Sequence, residues 1–354
     1  MIISNFSRKA AKAMDTETER IIGQYEGSEK GPLLICLGGM HGNEPAGVQA
    51  LDILFKLLEL EPETNPSFSF RGRLIGLRGN VRASRRKMRY LEKDLNRMWT
   101  TENIARVKAA PHSALQAEDL ELKEMITIIE HNVETYQPDK IVLLDLHTTT
   151  AYGGIFSIAT DDPESVEIAV ELHAPVVKGM LEGIRGTTLH YFNSDNFNRP
   201  TVGVCFESGQ HDEPLSVNRA IAAIINCMRT IGCVRAEHVE NRHDSLLIEY
   251  SKDLPKVLEL IMCHEIQPGD DFHMMPNYEN FQKVRKGELL AHDRHGAIYA
   301  QADGRILMPL YQQQGDDGFF LIRTVGEEED WPTLPPPSEG TASHTSGDNG
   351  HPPV

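Results

Sequence analysis

The sequence predicts an α/β domain built on a largely buried, mixed sheet, followed by a smaller β-rich domain. Three observations carry that reading. Through about residue 234, short apolar runs alternate with segments of helical period, the pattern of buried strands layered with helices. Beyond Val234 the runs KVLELIMC, GELLAHD, AIYAQADGRILMPLY and GFFLIRTV alternate with Gly and Asp turns, as short antiparallel strands do. The chain is also 354 residues long, more than one hydrophobic core usually holds. The expected organisation is a first domain over 1–234, a β domain over 235–325 and a tail over 326–354.

Taken in order, strands are expected over Leu33 to Leu37, Arg73 to Leu77, Ile141 to Leu146, Gly154 to Ile158 and Thr201 to Phe206. Pro45 to Leu60 predicts a helix, because Val48, Leu51, Leu54, Phe55 and Leu58 fall close to one helical face and Pro45 suits the first turn. A further helix is expected between Thr100 and Tyr136, its start blurred by KAAPHSA, and another from Pro214 to Ile231. From Gly326 the chain is acidic and then rich in Pro, Gly and Ser, with too few large apolar residues to bury, which predicts disorder. No repeat recurs at a fixed period.

Hydrophobic residues at 40% and charged residues at 25% are ordinary globular values. The first twenty residues hold no apolar run of signal-peptide length, and no later segment has about 18 uninterrupted apolar residues, so a cytoplasmic protein without a membrane partner is expected. The five cysteines (Cys36, Cys205, Cys227, Cys233, Cys263) lack close metal-type spacing and read as reduced thiols. A formal net charge of -17 speaks against nucleic acid as a partner. The stretch from Arg71 to Arg97 runs the other way, with ten basic residues against Glu92 and Asp94. It reads either as a solvated basic surface or as a site for a small anionic substrate. A homo-oligomer is compatible with all of this.

Three segments carry chemistry. GGMHGNEPAG ends an apolar run in two glycines and presents His41 and Glu44 on a loop that opens a helix, where α/β sheets place their sites. His-x-x-Glu alone is a weak metal signal. DKIVLLDLHTTT delivers His147 at the end of a second apolar run, completing the two-His, one-carboxylate set that catalytic zinc favours. Asp145, two residues earlier on the same strand face, reads either as an orienting group for a ligand or an arginine, or as a polar cap on the core. TVGVCFESGQH ends a third run in Glu207, a carboxylate suited to take a proton from an attacking water and return it to a leaving amine.

With HGNE, DLH and ESG in that order, the chain resembles the succinylglutamate desuccinylase and aspartoacylase family, itself similar to zinc metallocarboxypeptidases. Between the metal motifs lies RYLEKDLNRMW, and that family carries a closely similar Arg-Tyr-x-x-x-Asp-Leu-Asn-Arg segment. The resemblance spans motifs from about Leu33 to Gln210 and implies a three-layer, carboxypeptidase-like domain followed by a β domain. It also implies one zinc ion per chain, held by His41, Glu44 and His147, and hydrolysis of the amide of a small anionic N-acyl amino acid, with Glu207 as general base. Arg89 would then steady the oxyanion, and Asn96 with Arg97 would clasp the α-carboxylate, roles that suit a planar guanidinium fork.

The substrate side-chain pocket follows the family less closely. Where aspartoacylase has an arginine about ten residues before the general base, the nearest cation here is Arg199, eight residues before Glu207, and it is the candidate for that role. Where a tyrosine enters from the C-terminal domain, this chain has Phe319 and Phe320, with Tyr311 nearby. His173, His190, His211 and His264 receive no role. The nearest rival reading is a zinc carboxypeptidase acting on short peptides, which would use the same residues with a more open cleft. A non-catalytic binder would be expected to lose a ligand or Glu207, and none is lost. An RNA-binding module lacks interleaved aromatics in the basic stretch.

Overall fold

The computed structural model describes residues 20–238 and 242–326. Residues 327–354, on which the expected tail disorder falls, lie outside those described. All five predicted strands form, within a central sheet that is larger than the sequence suggested. Its members are β1 (Ile21–Glu26), β2 (Glu29–Gly38), β3 (Arg71–Arg78), β4 (Ile141–Thr149), β5 (Phe156–Ala159), β6 (Val176–Lys178), β7 (Thr201–Gln210), β8 (Val257–Glu265), β10 (Lys283–Val284), β13 (Gly304–Leu307) and β14 (Asp317–Thr324). Their spatial order is β1-β3-β2-β4-β7-β5-β6-β8-β14-β13-β10. A small second sheet joins β9 (His273–Met274), β11 (Leu289–Asp293) and β12 (Gly296–Tyr299) in the order β12-β11-β9.

The four strands β3, β2, β4 and β7 pair in parallel, so their carboxyl ends lie along one edge of the sheet. Alternation of side chains then separates two cores. Leu33, Ile35, Leu37, Ile141 and Leu143 pack with Ile104, Val107, Leu122, Ile126 and Ile129 from the helices Thr101–Ala109 and Ala117–Tyr136. Leu34, Cys36, Val142 and Leu144 pack on the other face with Leu51, Leu54, Ala220 and Ile224 from the helices Ala46–Thr64 and Leu215–Thr230. The result is a helix–sheet–helix sandwich.

Two expectations change here. The single helix foreseen between Thr100 and Tyr136 is two, because Ala110, Pro111 and Leu115 adopt extended backbone angles across KAAPHSA and end the first helix. The C-terminal β region carries the helix Arg242–Ser251 before its strands, and β8 pairs in parallel with β6, so the region continues the central sheet. The five cysteines are free thiols, and among the described residues no helix is long and apolar enough to cross a membrane.

Candidate active site

The carboxyl ends of β2, β4 and β7 bring the three sequence signals together. Register explains it: Gly38 lies beside Leu146, and His147 beside Glu207, so the loop after β2 opens directly above the ends of the other two strands. That loop needs two glycines. Gly39 has φ +68°, and a Cβ on Gly42 would meet the Ala83 carbonyl carbon at 2.3 Å, so the chain passes the short helix Val81–Arg86 only as bare backbone.

His41, Glu44 and His147 are all buried, and one ligand atom from each lies within 4.8 Å of the others. Glu44 Oε1 is 2.8 Å from His41 Nδ1 and Oε2 is 3.1 Å from His147 Nδ1. The outer nitrogens face carboxylates: His41 Nε2 is 3.1 Å from Asp94 Oδ1, and His147 Nε2 is 3.2 Å from Asp145 Oδ2, the latter at an angle too poor for a hydrogen bond. Two imidazoles and a carboxylate, each imidazole backed by a second carboxylate, form the donor set and outer shell that a catalytic zinc ion uses. The residues therefore fit the metal. Asp145 lies beside His147 and also accepts the Thr188 hydroxyl at 2.6 Å. Burial alone would push the Glu44 carboxyl up, but His41 and His147 override it and hold it well below the usual carboxylate range. Burial likewise opposes charge on His147, and Asp145 and Glu44 more than offset that, raising it well above the ordinary imidazole value.

Glu207 differs from Glu44 in having no partner for Oε2 among the described residues. Burial pushes its carboxyl up to about 8, helped by Glu44 and Asp145 and opposed by His147 and Arg89. A buried carboxyl with a proton affinity near neutrality is what proton transfer at neutral pH requires.

The Arg89–Arg97 segment is tied down at several points. Glu118, fully buried on the Ala117–Tyr136 helix, accepts the backbone N–H groups of Leu91, Glu92 and Lys93 and the side chain of Asn80. Arg89 donates Nε and Nη2 to Asp94 Oδ2 at 3.2 and 3.0 Å, and its Nη1 is 3.7 Å from Glu44 Oε1. Asn96 Oδ1 accepts the Thr188 N–H at 3.2 Å. Arg97 is not idle: Nη1 donates to the Asn96 carbonyl and Nη2 pairs with Asp317 at the start of β14. Much of the basic stretch is neutralised in this way, with Arg73 on Glu26, Arg82 on Glu121 and Glu124, and Lys93 on Asp119.

Arg199 is a correction. It precedes β7 at the far end from Glu207, where Nη1 donates to the Pro138 carbonyl at 2.8 Å, and it does not line the cavity. Eight residues along and before a strand put it about 26 Å from the site, at roughly 3.3 Å per residue. Tyr311 is also turned away, hydrogen-bonded to Met275 and Tyr278, while Phe320 does line the cavity.

The cavity spans about 840 Å³, counting its open mouth. His41, Glu44, Arg89, Asn96, Arg97, His147 and Glu207 all line it. One further wall comes from Leu181, Ile184 and Thr187 to Leu189, and another from the C-terminal region, through Met308, Leu310, Gln312 and the Gly315–Asp317 turn. That loop is anchored beside His41 and Glu44, since Asn43 donates to Gln312 and the Arg89 N–H to Gln314. Sequence reasoning passed over Asp316, Asp317 and His211, all of which line the same space.

Comparison with known proteins agrees with this arrangement. Residues 30–231 match the model of the succinylglutamate desuccinylase/aspartoacylase catalytic domain. A probable aspartoacylase from Acaryochloris marina is 25% identical over 294 residues, covering 82% of this chain and 83% of that one. Another, from Nostoc sp. PCC 7120, is 32% identical over 147 residues, so the match spans 40% of this chain and less than half of that relative, 45%. Among solved structures, the product-bound ectoine utilization protein EutE (DoeB) from Ruegeria pomeroyi has a TM-score of 0.58 at 19% identity, with 85% and 88% of the two chains covered. Succinylglutamate desuccinylase from Vibrio parahaemolyticus has a TM-score of 0.54 at 18% identity, with 83% and 82% covered. These structures share the fold, and the matched catalytic domain, which contains every strand-end residue described above, shows that the chain belongs to the succinylglutamate desuccinylase/aspartoacylase family of hydrolases.

Proposed function

We propose that this chain is a zinc-dependent deacylase that cleaves the amide bond of a small N-acyl amino acid. The observation that carries the reading is the buried convergence of His41, Glu44 and His147 beside Glu207, whose Oε2 has no partner among the described residues. When bound by the first three, one zinc ion per chain would supply Lewis acidity to the acyl carbonyl and to the attacking water. Glu207 takes the proton of that water as it attacks, and then returns it to the amide nitrogen as the amino acid leaves. Arg89, fixed by Asp94, directs its charge at the oxygen on which negative charge develops. Asn96 and Arg97 bind the α-carboxylate, for which Arg97 exchanges its Asp317 partner.

The wall contributed by the C-terminal region supports a small substrate over a peptide, because the loop anchored at Gln312 and Gln314 narrows the approach to Glu207. Cytoplasmic activity and the absence of nucleic-acid and membrane partners belong to the same reading. The test is amine release by zinc-loaded protein from a panel of N-acetyl, N-succinyl and N-formyl amino acids, with and without a chelator. The expected result is chelator-sensitive turnover of one class and one zinc per chain. Tight zinc with no turnover of any amide in the panel would remove the deacylase reading.

A further inference from the structure

Resting on the deacylase reading, we propose that His211 is a substrate-contacting residue that donates its Nε2–H to an oxygen of the acyl half of the substrate. It lies four residues beyond Glu207, just past the end of β7, and lines the same cavity. Its backbone N–H donates to the Thr149 carbonyl at 3.0 Å, which carries the β4–β7 pairing one step beyond the strand ends. The ring is fixed as well. Nδ1 lies 2.7 Å from Thr148 Oγ1, and the backbone N–H of Thr148 in turn donates to Glu44 Oε2 at 3.0 Å.

Hydrogen-bond accounting selects the tautomer. Thr148 is 5% exposed, and its hydroxyl contacts nothing but His211 among the described residues. If Nδ1 carried the proton, that hydroxyl would keep a buried hydrogen with no acceptor. With Thr148 donating to Nδ1, the hydroxyl is satisfied and the proton sits on Nε2. Nε2 is shielded from solvent and has no partner among the described residues, so its N–H awaits an acceptor. Burial pushes the ring below its ordinary pKa, with Glu44 opposing, so the donor is a neutral imidazole.

A neutral donor is aimed at a polar oxygen more than at a full anion. Asn96 and Arg97, reached from the other side through Thr188 and Asp317, serve the amino-acid half in the proposed function. His211, attached to β4 through Thr148 and Thr149, is left for the acyl half. Its place beside the metal set means that acyl groups offering an oxygen near Thr148 gain affinity, and those that cannot leave a buried N–H unmet.

The test uses zinc-loaded protein with His211→Phe, which keeps a ring and removes the donor, and His211→Gln, which restores an N–H. For the amide turned over fastest in the panel, or N-acetyl-L-aspartate if none is, His211→Phe is expected to lose about tenfold to a hundredfold in kcat/KM at unchanged zinc content, and His211→Gln to recover most of it. Calorimetric titration in the Glu207→Gln background, which stops turnover, reads the contact without catalysis: adding His211→Phe weakens the N-acyl amino acid and leaves the free amino acid unchanged. Wild-type kcat/KM and affinity in His211→Phe overturn the proposal alone. So does equal weakening of the free amino acid, or a loss that excess zinc reverses, which would place His211 behind Thr148 and Glu44. Affinity that depends on His211 without any wild-type turnover upholds the contact and removes the deacylase reading, and no binding by either protein overturns both.

Discussion

The wall of the cavity that carries His41, Glu44, His147 and Glu207 grows out of three strand ends, whereas another wall is a loop lent by the C-terminal β region. On the first wall most polar groups are held by a neighbour close in the fold, His41 by Asp94, His147 by Glu44 and the Arg89 loop by Glu118, while Glu207 Oε2 has no partner among the described residues. On the second, the contacts reach across the sequence: Asn43 donates to Gln312, the Arg89 N–H to Gln314, Gln314 to the Tyr90 carbonyl and the Thr150 hydroxyl to the Pro309 carbonyl, and Asp317 pairs with Arg97. The difference separates two jobs. Chemistry needs positions fixed to a fraction of an ångström, which rigid strands provide, while substrate choice is set by a wall that can vary without disturbing them.

The comparison breaks most sharply at Glu207. Glu207→Gln is expected to lower kcat/KM by about a thousandfold or more with zinc retained, because it keeps shape and removes the proton carrier. Substitutions at the Arg97–Asp317 pair, where the second wall meets the first, shift KM instead. Asp317→Asn releases Arg97 from its ion pair and is expected to lower KM severalfold with kcat little changed, whereas Arg97→Met raises KM about a hundredfold. Initial-rate kinetics on the three variants separates the walls, and a kcat effect in Asp317→Asn would merge them.

A stability measurement on metal-free protein sharpens the first wall further. The unfolded chain releases the Glu207 proton near the ordinary value of 4.5, and the folded chain releases it near 8. Between those values the folded state binds more protons, so rising pH costs stability, and the cost is complete above about pH 8. Metal-free Glu207→Gln escapes this. Thermal melts are expected to show the variant gaining on wild type from pH 4.5 to 8, and parallel curves would remove the case for an uncompensated buried carboxyl. The smallest effect belongs to Arg199→Ala, which loses one hydrogen bond to Pro138, about 1 kcal/mol of stability, and changes kcat/KM less than about twofold.

Much of the strand-end wall was legible in the sequence because His147 and Glu207 end apolar runs and His41 and Glu44 follow another, and a buried strand that stops at a polar residue announces where its side chain emerges. The RYLEKDLNRMW segment was legible only through its resemblance to a family. Asp317 and His211 were not legible, for a physical reason. GDDG and GQHDEP read as polar turns, and nothing in their spacing tells that one pairs with Arg97 and the other with Thr148. Arg199 misled in the opposite way, because nearness in sequence to Glu207 along an extended strand means distance in space. In the fold, β1 escaped notice because IIGQYE alternates weakly, and the β8–β6 pairing because strand partners across eighty residues leave no local mark.

That last pairing has a consequence for how the molecule can be cut. β6 is three residues long and is held on one side by β5 and on the other by β8. A chain ending at residue 231, where the family match ends, would leave β6 as an open edge with unmet backbone donors and acceptors, an invitation to intermolecular strand addition. Such a fragment would keep His41, Glu44 and His147 and still be expected to aggregate, so in this chain the end of the family match is not expected to mark an autonomous folding unit.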